Sequence, residues 1–282
     1  MTTLNAVDTI AEPTPAALQA LIGLVHRHTG IAMTERKSEL LQGRLRPRLK
    51  ALALTSYDAY FKRVEQQAEE VQVFINMVTT NDTAFFRTPH VWEYFSTRYL
   101  PHWALANPGR PLRIWSAAAA TGEEAYSIAM RCEEFKRTVP RFEYQVLATD
   151  ISTAVLETGR KGLYAGRSVE RMKEAWPALF DRYLSGDARS ASIVPALKMH
   201  IDFAKHNLLT RLRPMAQFDI VFLRNVLIYF DADIQKKVVD LLRPAMRDDA
   251  RLILGESESL GRIETCYRSE LPLVYSIQSE PA

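Results

Sequence analysis

Two acids follow a run of small residues at Ser116-Ala-Ala-Ala-Ala-Thr-Gly-Glu-Glu124. A third acid, Asp150, closes the apolar run that starts at Tyr144, and Arg224-Asn225 closes another that starts at Phe218, with Tyr229 shortly after. Small residues let backbone come close to a ligand. A phosphate-binding turn would avoid carboxylates at a helix start, because phosphates need its bare N–H groups. Glu123 and Glu124 suit a cationic ligand instead. S-adenosylmethionine carries an ammonium and a sulfonium, so Glu123 is a candidate to hold its amino group. Helix capping by acids in a first turn explains the same pair equally well.

Each of the other positions also has two readings. Asp150 after a strand can accept hydrogen bonds from ribose hydroxyls, or cap the helix that begins near Ser152. Asn207, after a third strand, can pair with an adenine edge or close an Asx turn. Arg224 ends an apolar run, where a charge is rarely idle; it serves a ligand or a structural ion pair. Tyr229 is a candidate for the reacting end of the site or a core aromatic with a wet hydroxyl. The stretch Asn81-Asp82-Thr83-Ala84-Phe85-Phe86-Arg87 suits a cleft or a packed linker.

Those residues need elements to position them. After Pro111 the chain alternates strand and helix: strands over 112–115, 144–148, 201–203, 218–223, 251–254 and 273–277, with helices from Glu123 and Ser152 between them. Such alternation predicts a parallel α/β sheet whose strand ends carry the site. An insert over about 165–200 interrupts it, with a helical piece, a Gly186-Asp187 turn and a short β-like stretch. Residues 1–14 read as a flexible tail. Residues 15–80 read as a small helical domain, with Leu18, Leu21, Ile22 and Val25 on one helix stopped by Gly30. Thr34 and Glu35 are the expected start of the next helix. It carries Leu41, Leu45, Leu49 and Leu52, and Pro47 is expected to kink or break it. Residues 81–110 read as a linker and cleft segment, and 111–282 as the sheet domain.

Between Arg27 and Arg63 nine basic residues face three acids, an excess of six against +3 for the whole chain. Arg44, Arg46, Arg48 and Lys50 fall on the leucine-striped helix. A basic helix without nucleic-acid motifs favours an acidic protein surface over nucleic acid. With 47% apolar and 24% charged residues the composition is that of an ordinary globular protein. Cys132 and Cys266 stand far apart, which argues against a disulfide framework and against a metal site. No signal peptide or membrane span is visible, so the expected location is the cytoplasm.

In this order the segments resemble the chemoreceptor glutamate methyltransferases, the CheR family. The resemblance runs through His28-Thr-Gly-Ile31, Arg44–Leu52, Thr79–Arg87, Arg113-Ile-Trp-Ser116, Thr121-Gly-Glu-Glu124, Tyr126–Met130 and Ala148-Thr-Asp-Ile151. It continues through Asn207-Leu-Leu209, Arg224–Asp231 and Gly255-Glu-Ser-Glu-Ser259. It implies a small all-α N-terminal domain, then a Rossmann-like S-adenosylmethionine-dependent methyltransferase domain with a small inserted antiparallel β-subdomain. It implies methyl transfer from S-adenosylmethionine, without a metal, to glutamates on chemoreceptor helices in chemotactic adaptation. Asn81, Thr83, Arg87, Glu123, Asp150, Asn207, Leu208, Arg224 and Asn225 match positions around the cofactor. Arg87 and Tyr229 match those nearest the transferred methyl, and the Arg44–Lys50 face matches the receptor-docking helix.

The chain departs from the pattern at Ala120, where Ser is frequent, and at Ala125, where Pro is frequent. Its insert lacks the Gly-x-Gly turn with which relatives bind a receptor's C-terminal pentapeptide, so no such tether is expected. The alternatives are a methyltransferase acting on another protein or on nucleic acid, and a non-catalytic S-adenosylmethionine-binding module. A dehydrogenase would need a Gly-x-Gly-x-x-Gly turn that is missing here.

Overall fold

The computed structural model describes residues 10–33 and 38–278. Contacts divide the chain into two units, Met1–Thr80 with Tyr229–Asp231, and Asn81–Ile228 with Ala232–Ala282.

Among its described residues the first unit holds four helices: α1 (Pro15–Thr29), α2 (Ser38–Ala51), α3 (Tyr57–Gln66) and α4 (Ala68–Val78). Thr14 caps α1 by accepting from the Ala17 N–H at 3.1 Å, and Pro15 opens it. Gly30 ends it with φ 75°, in the left-handed region open to glycine. Leu41, Leu45 and Leu49 are fully buried, one per turn of α2. This fixed stripe carries α2 through Pro47 to Ala51, so the expected break does not occur. Thr34 and Glu35, the expected start of α2, lie outside the described residues. Part of the expected flexible tail packs: Ile10 is buried in the helical core, and the Ala11 N–H donates to the Thr55 carbonyl at 2.9 Å.

The second unit begins with helical residues where a linker was expected. α5 (Pro89–Tyr94), a π-turn over Phe95–Tyr99 and α6 (Leu100–Ala106) run head to tail. Trp92, Phe95 and Leu100 are fully buried in the core of this unit. Their aromatic bulk turns the segment into a core layer. Then follow β1 (Leu112–Ala117), α7 (Glu123–Thr138), β2 (Tyr144–Asp150), α8 (Thr153–Lys161) and β3 (Leu163–Ala165). The insert continues with α9 (Arg167–Ala175), α10 (Pro177–Tyr183), β4 (Leu184–Gly186), β5 (Ser190–Ile193) and α11 (Pro195–Lys198). β6 (Ile201–Lys205), β7 (Phe218–Leu223), α12 (Ala232–Leu242), β8 (Met246–Leu254), β9 (Tyr267–Leu271) and β10 (Val274–Ile277) complete it.

Seven strands form one sheet in the order β6-β2-β1-β7-β8-β10-β9. The first five are parallel; β10 runs antiparallel to β8, and β9 antiparallel to β10. β7 is buried at every position, as a strand covered on both faces must be. Strand order reverses between β1 and β7, which places a crevice at their carboxyl ends. β9 had no expectation from the sequence: Arg268-Ser-Glu270 is exposed, so its apolar signal is weak. β3, β5 and β4 make a separate antiparallel sheet, with Asp187 Oδ1 accepting from the Arg189 and Ser190 N–H groups in the β4–β5 turn. No helix among the described residues is long and apolar enough to cross a membrane.

Candidate active site

The turn from β1 to α7 is built under strain. Ala118 and Ala120 hold φ 67° and 48°, left-handed values that are costly for a residue with a Cβ. Gly122, at φ 97°, leaves room where a Cβ would come within 3.0 Å of the Phe203 ring. Ala119 donates its N–H to the Thr149 carbonyl at 2.8 Å, and Ala120 donates to Asp150 Oδ2 at 3.0 Å. The ends of β1 and β2 are thereby tied together by backbone.

The two acids that open α7 have separate tasks. Glu123 is 5% exposed, and its carboxylate accepts from the hydroxyls of Thr121 at 2.6 Å and Ser168 at 3.3 Å and from its own backbone N–H. Burial pushes its carboxyl above its ordinary pKa. Glu124 accepts from Ser116 at 2.7 Å and pairs with Arg224 at 3.0 Å. Asp150 is 6% exposed and takes backbone N–H groups from Ala120 and, at 2.9 Å, Ser152. Burial raises its pKa too. No cationic side chain pairs with Glu123 or Asp150 among the described residues. Two buried carboxylates held by neutral donors leave a local demand for positive charge and for further hydrogen-bond donors.

Arg224 is 5% exposed and reaches no open space. Its guanidinium donates to Glu124 Oε2, donates to the Arg87 carbonyl at 2.9 Å, and lies 5.7 Å from the Trp92 ring. The structural ion pair weighed from the sequence is therefore present, and it stitches the end of β7 to the start of α7 and to the 81–87 segment. That segment is pinned again where Ser127 Oγ accepts from the Phe86 N–H at 3.0 Å and donates to the Glu123 carbonyl at 2.7 Å. Arg87 keeps a half-exposed guanidinium that donates to the Asp82 carbonyl at 3.0 Å. Asn81 and Thr83 are half-buried in the same stretch.

Asn207 forms the Asx turn: its Oδ1 accepts from the Leu209 N–H at 3.0 Å. It follows His206, whose N–H donates to the Asp150 carbonyl at 3.0 Å, so Asn207 and the half-buried Leu208 leave β6 beside Asp150. Asn225 stands at φ 60°. Tyr229 ends a short 3-10 turn and groups with the helical unit, where its carbonyl accepts from the Ala32 N–H at 2.8 Å.

On the basic helix the structure separates the four cations. Arg44 donates to the Val78 and Thr79 carbonyls and to Thr80 Oγ1. Arg48 grips Glu70 with two bonds of 2.8 and 2.6 Å. Arg46 and Lys50 are exposed. Sequence reasoning could not make this division, because helix position alone does not say which cation meets α4.

Comparison with known proteins decides the family. Residues 81–271 match the domain described as CheR methyltransferase, SAM binding domain, and residues 16–79 match CheR methyltransferase, all-alpha domain. The chain belongs to the CheR methyltransferase family. Relatives include a chemotaxis protein methyltransferase of Escherichia coli (strain K12), 35% identical over 91% of this chain and 89% of that one. Chemotaxis protein methyltransferase 2 of Pseudomonas aeruginosa is 36% identical over 89% of each chain.

This CheR protein is an S-adenosylmethionine-dependent methyltransferase. Its residues fit that cofactor. Glu123 offers an unpaired buried carboxylate for an ammonium, Asp150 offers acceptors for hydroxyls, and the Ala117–Gly122 backbone carries no bulky side chain at the turn. Among the described residues no group of three or more His, Cys, Asp or Glu is placed to hold a metal.

Proposed function

We propose that this enzyme esterifies glutamate side chains on the cytoplasmic helices of chemoreceptors. The observation that carries the reading is a pair of buried carboxylates, Glu123 and Asp150, without a cation, in a chain whose relatives are named chemotaxis protein methyltransferases.

Bound S-adenosylmethionine supplies a methyl group on a positively charged sulfur. Glu123 holds the cofactor's amino group, and Asp150 its ribose. An acceptor glutamate is ionised near neutral pH, with a reference pKa of about 4.3, so the enzyme needs no general base. With a sulfonium methyl donor and an ionised acceptor of opposite charge, the part left to this chain's residues would be alignment and exclusion of water. Arg87 has an accessible guanidinium and orients a carboxylate. Tyr229 steers the acceptor at the reacting end. Asn81, Thr83, Asn207, Leu208 and Asn225 line the cofactor, and Arg224 fixes the rim behind it. Arg46 and Lys50 meet the acidic receptor surface, while Arg44 and Arg48 brace the helix that presents them. The receptor is engaged without a C-terminal peptide tether, and the enzyme works in the cytoplasm.

The test uses S-adenosylmethionine labelled in its methyl group and a purified receptor cytoplasmic fragment. The expected product is label on the receptor that mild base releases as methanol. Base-stable label, or label on nucleic acid with none on the receptor, overturns the reading. Removing the receptor's last residues is expected to leave the rate unchanged.

A further inference from the structure

Glu258 is a buried carboxylate for which the reaction as derived has no use. It is 7% exposed, and no Lys or Arg pairs with it among the described residues. Its Oε2 accepts the N–H groups of Asn225 at 2.8 Å and Gly255 at 2.6 Å. Its Oε1 accepts those of Val226 at 2.8 Å and Leu227 at 2.7 Å. A carboxylate has about four acceptor positions, and here backbone from two loops fills all of them. One loop leaves β7 and the other leaves β8, at the carboxyl ends of adjacent parallel strands.

We propose that Glu258 is a positioning residue for methyl transfer, one that sets the backbone turn between Arg224 and Tyr229. Asn225 sits at φ 60°, a left-handed conformation uncommon for a residue with a Cβ, though less so for Asn. Three successive N–H groups, from 225 to 227, point at one carboxylate and donate charge-assisted bonds that hold this turn. Gly255 completes the arrangement. A Cβ there would lie 2.8 Å from the Asn225 nitrogen and 2.7 Å from Glu258 Oε2. The motif Gly255-Glu-Ser-Glu258 therefore specifies a glycine and a carboxylate three residues apart for one purpose. The glycine lets the β7 loop come close, and the carboxylate collects its donors. Glu258 touches no reacting atom; it acts through the loop that carries Asn225 and leads into the Leu227–Tyr229 turn.

The inference rests on the methyltransferase reading, and its test separates the two. Glu258→Gln keeps the shape but turns an amide NH2 towards two of the four N–H donors. Gly255→Ala strikes the same knot with the carboxylate intact. For each variant, kcat per folded molecule is measured with receptor, alongside S-adenosylhomocysteine binding and the thermal midpoint. Glu70→Gln, in the other unit, serves as a destabilised control. The expected result is a kcat lowered about 10- to 100-fold in the first two variants, the range that small misplacements cause, and a normal kcat in the control. Unchanged kcat in Glu258→Gln or Gly255→Ala, whatever the fall in midpoint, overturns the proposal and leaves a purely structural role. In the wild-type protein the Asn225, Val226, Leu227 and Gly255 amides should exchange slowly with solvent. Exchange at unprotected rates overturns the proposal without any variant. Failure of the wild type to transfer methyl to receptor refutes the proposed function instead.

Discussion

Each unit of this chain buries carboxylates, and Glu70 of the helical unit is treated in the opposite way from Glu123 and Asp150 of the sheet unit. In the helical unit Glu70 is 3% exposed, gripped by Arg48, bonded by the Tyr60 hydroxyl at 2.9 Å and approached by Arg63 at 3.8 Å. Hydrogen bonds from Arg48 hold its pKa below the ordinary value despite burial. In the sheet unit Glu123 and Asp150 are as deeply buried, yet they receive only hydroxyl and backbone donors, and burial raises both pKa values. A buried charge with its countercharge in place is scaffold. Glu258 has no countercharge but a full set of backbone donors, whereas Glu123 and Asp150 have neither a countercharge nor four such donors. The contrast is what the proposed cofactor contacts of Glu123 and Asp150 rest on.

The largest effect that tests this contrast is on stability. Glu70→Gln leaves Arg48 without its partner and should cost about 3 kcal/mol, the low end for a broken buried pair because Arg48 is partly exposed. Denaturant unfolding should register the loss, and S-adenosylhomocysteine affinity per folded molecule should not change. A variant as stable as wild type would erase the distinction between the two kinds of site. Next is Asp150→Ala, which should weaken S-adenosylhomocysteine about 10- to 100-fold in calorimetry, the worth of one or two hydrogen bonds to a charged group. Undiminished affinity would end the ribose assignment.

Glu123→Gln sharpens the comparison further. It removes charge while keeping groups that can bond Thr121 and Ser168. Affinity for the cofactor should drop about tenfold, the scale of a charged hydrogen bond, with no loss in thermal midpoint. A large loss of midpoint with affinity intact would mean that Glu123 is scaffold after all.

Acidification should separate the two regions along the pH axis. Only ionised Glu123 attracts an ammonium, and its pKa is raised, so cofactor affinity should begin to fall above the ordinary carboxylate range. In the cofactor-free protein the same raised pKa works in reverse: the folded state binds the extra proton, so stability decreases as pH rises through that interval. Glu70 has the opposite sign. Its contribution is full above the ordinary carboxylate pKa and is lost as pH falls through its lowered value. Binding and unfolding titrations of one sample should therefore show affinity failing first and Glu70's contribution failing at lower pH. Coincident transitions would contradict the assignment.

The smallest effect concerns the basic helix. Arg46→Glu with Lys50→Glu should raise the receptor's KM severalfold, more at low salt, as exposed charges at a rim do. Cofactor binding and stability should stay constant. Arg48→Glu should instead unfold the helical unit. Equal behaviour of the two variants would show that exposure does not sort docking from bracing.

The amino-acid pattern determined much of this enzyme. Periodicity reads out of a single chain because each element must bury one face, so the leucine stripe of α2 and the apolar runs of β1, β2 and β7 were legible. The acids at strand ends were legible as well, since a parallel sheet always presents ligands there. The helices within the expected linker and cleft segment 81–110 were not legible, because its aromatics lack a clean helical period. Pro47 suggested a break that the buried leucines override. Choices among identical residue types needed the folded molecule. Glu123 and Glu124 are neighbours in sequence, and only the arrival of Arg224 a hundred residues later gives Glu124 a countercharge and leaves Glu123 without one among the described residues. Arg46 and Arg48 differ only in which one α4 meets with Glu70. Glu258 looks like any acid in a loop until four backbone N–H groups converge on it. Local pattern sets which face of an element is apolar; the partner of a charge is set by long-range packing, which no local pattern encodes.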